Sequence, residues 1–351
     1  MAPRLLCLIH NFGRMLVREK QGGYVTNNGE TSCRLALRVF AISVCATSCL
    51  FAQPLSLALR APKGPAGAAE EAPTHIIRAD VDLVLVPAVV TDRKGATVNG
   101  LSRDNFTVLE NKIPQPIVSL SNQDAPCSIG IVLDLSGSMR TKLQAATDAV
   151  RAFLQTANPE DEIFLLTVGS RPHSLSDFTA DFATLQNSIV GSQAGGDTAL
   201  VDTVYMGLNR LRAARKGRGA LLVVSDGMDN NSRYSKSELL RVVEESDVQI
   251  HTIGIADNPP WKKAIELTEQ SRGLALLSDL ADRSGGLSFK AVTSDDIEPA
   301  ALKIGRAMRN EYVIAYGQAG ADKSGKWHSI QVKVSPPQQF RVYARTGYYA
   351  E

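Results

Sequence analysis

Two rhythms of apolar and polar positions divide this chain. From Val81 the residues alternate. Val81, Leu83, Leu85 and Pro87 fall on one face, Asp82, Val84 and Val86 on the other, and Val89-Val90-Thr91 carry the run on. A period of two predicts a strand. Asp92-Arg93-Lys94-Gly95 reads as a turn, Phe106 to Leu109 as a second strand, Asn111-Lys112 as a second turn, and Ile117 to Leu120 as a third strand. Residues 80–123 are therefore expected to be β structure.

The next stretch has another rhythm. Ser128 to Leu133 and Ala220 to Val224 are continuous apolar runs, as in strands covered on both faces. Lys142 to Gln155 places Leu143, Ala146, Val150 and Leu154 on one helical face, and Ala199 to Ala213 does the same with Val201, Val204, Leu208 and Leu211. Strands at 163–168, 248–255 and 287–291 alternate with helices at 181–190, 235–246, 274–283 and 297–310. Strands alternating with helices predict a doubly wound, mainly parallel α/β sheet over 125–310. After it, Tyr312 to Tyr316, Trp327 to Val334, Phe340 to Ala344 and Gly347 to Tyr349 return to β character. Neither β set closes a core alone. The expected fold class is α/β, with the α/β domain inserted between two halves of a small β-sandwich, 80–123 and 311–351. Trp327, Tyr348 and Tyr349 are expected to pack that module.

The N-terminal pattern differs again. Val39 to Ala52 carries no charge, follows Arg34 and Arg38, and precedes Gln53-Pro54. A basic flank, a short apolar run and a small residue before a polar break describe an export signal within a leader of residues 1–52. A retained single anchor, or a lipoprotein signal at Cys49, are the alternatives. Residues 53–79 form a linker, rich in Ala and Pro up to 75. Of the five cysteines, Cys7, Cys33, Cys45 and Cys49 lie in the leader. Only Cys127 would survive cleavage, as a small buried residue at a strand start. The expected location is exported: periplasmic, cell-surface or secreted.

Composition narrows the function. The chain has 351 residues, 44% hydrophobic and 21% charged, which is globular. Lys plus Arg is 38 against 36 for Asp plus Glu, so the formal charge is +2 and no basic excess points to nucleic acid. Phosphate-loop chemistry also fails. Gly320 to Lys326 is followed by Trp327, where Ser or Thr must hold magnesium. His173, His251 and His328 are scattered, and neither a nucleophile elbow nor a zincin motif occurs. No catalytic residue and no small-molecule cofactor are expected.

Asp134-Leu135-Ser136-Gly137-Ser138-Met139 follows an apolar strand at once and precedes a helix. In open parallel sheets, ligands bind at the carboxyl ends of the strands. A D-x-S-x-S string alone arises in roughly one chain in ten of this length. Context makes it specific. A second strand ends in Ser225-Asp226-Gly227, and Gly195-Gly196-Asp197-Thr198 opens a helix between them. Hydroxyls and carboxylates are hard oxygen ligands suited to Mg²⁺, Mn²⁺ or Ca²⁺, and the absence of His and Cys disfavours zinc. A simpler reading is a capped turn, with Asp134, Ser136 and Ser138 satisfying helix amides.

These residues resemble the von Willebrand factor type A domain, over about 125–310. The flanks, Val90-Thr91-Asp92 through Leu101, Asp104-Asn105-Phe106 and the ending Arg345-Thr346-Gly347-Tyr348, are similar to a bacterial subfamily first noted in Acidobacteria. The resemblance implies a metal-ion-dependent adhesion site. Ser136, Ser138 and Thr198 match its hydroxyl ligands, and Asp134 and Asp226 its carboxylates. It implies capture of an Asp or Glu carboxylate from a protein partner through the metal, and a shift of the last helix, 297–310. Ser225, Gly227 and Asp202 are expected behind the ligands or at the partner, and Asp197 and Asp229 either touch a partner or only shape turns. Two further functions stay open: a scaffold whose metal is structural or absent, and an extracytoplasmic hydrolase using the same metal.

Overall fold

The computed structural model describes residues 83–189, 192–256, 264–317, 325–336 and 339–350. The expected signal at 39–52, the linker at 53–79, the four leader cysteines and residues 320–324 of the run before Trp327 lie outside the described residues. Four strands come first: β1 (Leu83–Asp92), β2 (Phe106–Glu110), β3 (Ile113–Gln115) and β4 (Ile117–Ser121). The α/β region follows as β5 (Ser128–Asp134), α1 (Leu143–Leu154), β6 (Glu162–Val168), β7 (His173–Thr179), α2 (Phe182–Ile189), α3 (Leu200–Leu211), β8 (Gly219–Ser225), α4 (Lys236–Glu244), β9 (Val248–Ile255), α5 (Ala264–Ser284), β10 (Ser288–Ala291) and α6 (Ile297–Arg309). Four more strands end the chain: β11 (Tyr312–Gly317), β12 (Trp327–Val334), β13 (Phe340–Ala344) and β14 (Gly347–Tyr349).

The α/β sheet runs β10-β9-β8-β5-β6-β7, parallel except at β7. Every residue of β5, β6 and β9 is buried, and all of β8 after Gly219, which is why the runs in β5 and β8 read as continuously apolar. One face packs α1, α2 and α6 through Val150, Phe153, Leu185 and Ile304; the other packs α3, α4 and α5 through Val204, Leu208, Leu239 and Leu277. Full burial of each such side chain stabilises the fold by about 1.5–3 kcal/mol relative to exposure. Among the described residues, no helix is long and apolar enough to cross a membrane.

The flanking strands interleave. One sheet is β13-β1-β11-β4 and the other β14-β12-β2-β3, so each mixes strands from both ends of the chain. β1 registers with β11 from Leu83↔Gly317 to Ala88↔Tyr312, and with β13 from Ala88↔Ala344 to Asp92↔Phe340. The two sheets share one core of Val86, Ala88, Val90, Phe106, Val108, Tyr312, Ile314, Tyr316, Ile330 and Val334. That is a β-sandwich, with the α/β domain inserted between its halves. Trp327 packs edge-on to Tyr349 inside this module, at 5.1 Å between ring centroids. Within residues 76–351, which form one compact unit, the C-terminal strands are fastened to the α/β part by the Thr346 amide donating to the Arg283 carbonyl (3.2 Å).

Three elements differ from the sequence expectation. β7 pairs antiparallel with β6 at the sheet edge, and its half-buried, polar residues give no apolar run. β3 is a three-residue strand containing Pro114, tolerated because it lies at a sheet edge. α5 begins at Ala264, ten residues before the expected start, and continues through Gly273, which interrupts the apolar period. Cys127 is buried beside the start of β5, as expected, and the Asp161 carboxylate accepts its amide at 2.8 Å.

Candidate metal centre at the carboxyl edge of the sheet

β5 and β8 are parallel neighbours in register, Leu133 opposite Val224, so Asp134 and Ser225-Asp226 arrive at the same sheet edge. Parallel strands present this edge to ligands because each chain turns there into a crossover helix. After Asp134 the backbone makes one 3-10 turn over Gly137–Met139, with Ser136 extended (φ −65°, ψ 168°) before it. Met139 is wholly buried and pins the turn. Ser136 therefore points inward, fully buried, while Ser138 is exposed.

The glycine loop is tied to this turn. The Gly195 amide donates to the Leu135 carbonyl (2.8 Å), and the Gly137 amide to the Gly196 carbonyl (3.2 Å). Gly196 has φ +81°, a conformation that favours glycine. Thr198 follows, buried, at the entry to α3. Its amide donates to Asn230 Oδ1 (2.8 Å), and its carbonyl accepts from the Asn230 and Asn231 amides (3.0 Å each). These bonds occupy the Thr198 backbone and not its hydroxyl. Three loops thus converge with Asp134, Ser136, Ser138, Thr198 and Asp226.

Asp134 is held hard. Its Oδ1 accepts the Ser136 amide (2.8 Å), and its Oδ2 accepts the Ser225 hydroxyl (2.5 Å). Ser225 Oγ in turn accepts the Gly227 amide (2.9 Å), and Asp226 Oδ1 accepts the Met228 amide (3.1 Å). Burial pushes the Asp134 carboxyl up to about 6; the Ser225 and Ser136 hydrogen bonds oppose that, and the negative charge of Asp226 adds to it. Two buried carboxylates side by side at one sheet edge have the electrostatics of a cation site.

The donor set fits a hard divalent ion. Ser136 Oγ and Ser138 Oγ are 3.1 Å apart. Two adjacent ligands of an octahedral Mg²⁺, each at about 2.1 Å, stand about 3 Å apart. Among the described residues, no group of three or more His, Cys, Asp or Glu side chains could hold a metal, so any ion here depends on hydroxyls.

Residues 129–228 match the family model of the von Willebrand factor type A domain. This chain carries a von Willebrand factor type A domain. A curated relative, an "Uncharacterized protein" of Borreliella burgdorferi, is 22% identical over 190 residues, 49% of this chain and 55% of its own length. The chain thus spans about half the length of the curated relative it matches. Among solved structures, a von Willebrand factor type A protein from Catenulispora acidiphila is 14% identical at a TM-score of 0.45, covering 77% of this chain and 63% of its own. The vWF domain of the type V pili tip protein Mfa5 from Porphyromonas gingivalis is 15% identical at 0.44, covering 53% and 95%.

Around the A-domain edge, the neighbouring residues have structural tasks. Asp202 is buried and accepts the Arg233 and Tyr234 amides (2.9 and 3.1 Å) and Arg233 Nε (3.2 Å), so it braces the loop beyond Asp226. Asp229 accepts the Val201 amide (3.2 Å), and Ser232 Oγ accepts the Asp202 amide (3.1 Å). Ala199, the cap position of α3, offers no side-chain acceptor, so the Asp226 loop caps that helix from across the site. Asp197 is exposed, its amide donating to Ser170 Oγ (3.3 Å). Asn230, Ser232 and Ser170 were not expected. The polar run Asp229-Asn230-Asn231-Ser232 carries a turn signal, and the turn's partners across the sheet become visible only in three dimensions.

Proposed function

We propose that this chain is an exported, cation-dependent protein-binding module. Asp134, Ser136, Ser138, Thr198 and Asp226 would hold one divalent ion, Mg²⁺ or else Mn²⁺ or Ca²⁺. The observation that carries this reading is the convergence of two buried carboxylates and three hydroxyls from three hydrogen-bonded loops. A bound ion would supply an electrophilic centre able to take an oxygen ligand. Two carboxylates and neutral hydroxyls leave no surplus negative charge, so a partner's Asp or Glu carboxylate is the favoured incoming group. Ser138 lies on the exposed side and faces the partner; Ser225 and Asp202 keep the carboxylates and loops from moving.

The reading is non-catalytic. Of the candidate bases, His251 is buried in β9, His328 lies in β12 of the sandwich, and His173 is exposed on the edge strand β7. Export rests on the charge-free run 39–52, and the buried, unpaired Cys127 is compatible with it.

The test is Mn²⁺ binding by the full chain, followed by electron paramagnetic resonance, beside Asp134→Ala. The expected variant keeps cooperative unfolding and native circular dichroism but loses the bound-ion signal. A folded Asp134→Ala that still binds Mn²⁺ with wild-type affinity overturns the assignment.

A further inference from the structure

β1 is paired unevenly. On its β11 side it is paired over Leu83 to Ala88, and beyond that the Val98 amide donates to the Val90 carbonyl (2.9 Å). On its β13 side pairing covers only Ala88 to Asp92, because β13 ends at Ala344 and the chain leaves for β14 in the other sheet. Among the described residues, no strand is paired with Leu83 to Pro87 on that side. In an antiparallel ladder alternate residues turn N–H and C=O to opposite sides. Half of this segment's main-chain groups therefore face an open edge.

That edge lines a cleft of about 500 Å³ between the sandwich and the amino ends of β8 and β9. It lies at the opposite end of the parallel strands from Asp134. Its floor is apolar: Leu83 and Leu85 are 50% and 55% exposed, beside Pro87 and Val313. The cations lining it are withdrawn and spent internally. Arg218 pairs with buried Glu311, and Arg345 with Asp247. The solvent-facing charges of the cleft are acidic: Asp247, the partner of Arg345, has its side chain 89% exposed while that arginine is 13% exposed, and Glu245 is 45% exposed with only a loose 3.8 Å contact to Arg241.

We propose that this cleft is a second docking site, which takes an extended segment of a partner polypeptide as an added strand along Leu83–Pro87, with lysine or arginine alternating with small apolar residues. Main-chain bonds to the open edge give affinity, and side-chain pockets and charge give selectivity. The basic residues face the cleft, where their stems lie on Leu83 and Leu85 and their charged ends meet Asp247 and Glu245, while the apolar ones face the side of Val84 and Val86. The site is independent of any ion at Asp134.

The experiment titrates the full chain, with EDTA present, with acetyl-Thr-Lys-Val-Lys-Val-Lys-Thr-amide. Three comparisons accompany it: the same peptide with Glu for each Lys, its fully N-methylated form, and Glu245→Lys/Asp247→Lys protein. Saturable binding is expected, about tenfold or more weaker for the Glu and N-methylated peptides, with preference inverted toward Glu in the double variant. Hydrogen exchange at the amides of Leu83 and Leu85, which lie on the open side, should slow on binding. Three results overturn the proposal: absence of binding, equal binding of the N-methylated peptide, or Leu83 and Leu85 amides already protected in the free chain. In that last case, concentration dependence would identify a second copy as the occupant, and its absence the chain's own preceding segment.

Discussion

Gly227, next to Asp226, gives the sharpest mechanical test of how the site is held. It sits at φ +79°, and a Cβ built there would stand 2.3 Å from the carbonyl carbon of Gly273 in α5. The obstructing atom is helix backbone and cannot rotate away. Gly227→Ala therefore incurs two costs: about 1–2 kcal/mol for a side chain in left-handed backbone, and about 1–3 kcal/mol for overpacking. The sum, about 2–5 kcal/mol, corresponds to a fall in Tm of roughly 3–9 °C for a unit of this size. Gly95→Ala separates the two. Gly95 has φ +80° with nothing within 4 Å of the built Cβ, so only the first cost applies. Gly273→Ala isolates the second, and should destabilise even though alanine favours helix by about 1 kcal/mol over glycine. Thermal unfolding by circular dichroism reads all three. If Gly227→Ala loses no more than Gly95→Ala, the close approach of α5 to the Asp226 loop is wrong.

Other consequences are as direct. Burial pushes the Cys127 thiol up to about 12, so at pH 8 the native chain should leave Cys127 unalkylated, by peptide mass spectrometry, until denaturant is added. Burial lowers His251 from 6.5 to about 4, and its Nδ1 accepts the Leu287 amide at 3.0 Å. A lowered folded-state pKa means this contribution to stability is present above pH 6.5 and lost as pH falls toward 4. Between pH 7 and 4.5 the loss is about 2 kcal/mol; it should vanish from urea titrations of His251→Asn, and an unchanged pH dependence would contradict it. Asp202→Ala should leave three hydrogen-bond donors of Arg233 and Tyr234 without their acceptor and cost about 1–3 kcal/mol by urea unfolding, with the loss of ion affinity following from the loosened 229–234 loop.

Much of this architecture is legible in the residues, for identifiable reasons. β5 and β8 are buried on both faces, so they announce themselves as apolar runs, and their ends mark the site edge. α1 and α3 each bury one face, so their 3.6 period survives. The sandwich is inferable because neither set of flanking strands could close a core alone, although the pairings of β1 with β11 and β13 and of β2 with β12 span more than 200 residues. What is not legible has physical causes. β7 is a polar edge strand. α5 carries Gly273 in mid-helix because the Gly227 backbone must pass against it, and a contact between residues 46 positions apart overrides the local pattern. The same holds at the site. Asp134, Ser136, Ser138, Thr198 and Asp226 stand out by motif, whereas Asn230 gripping the Thr198 amide and Ser232 capping α3 depend on loops meeting across the sheet.

Calorimetric titration of Mg²⁺ into the full chain, beside Ser136→Ala, asks whether the five-residue oxygen cluster binds the divalent ion proposed above. Saturable single-site binding by the wild type, abolished in a variant with unchanged unfolding, is the expected result. No heat of binding in the wild type, or equal affinity in Ser136→Ala, would contradict it and leave the cluster as a hydrogen-bonded turn.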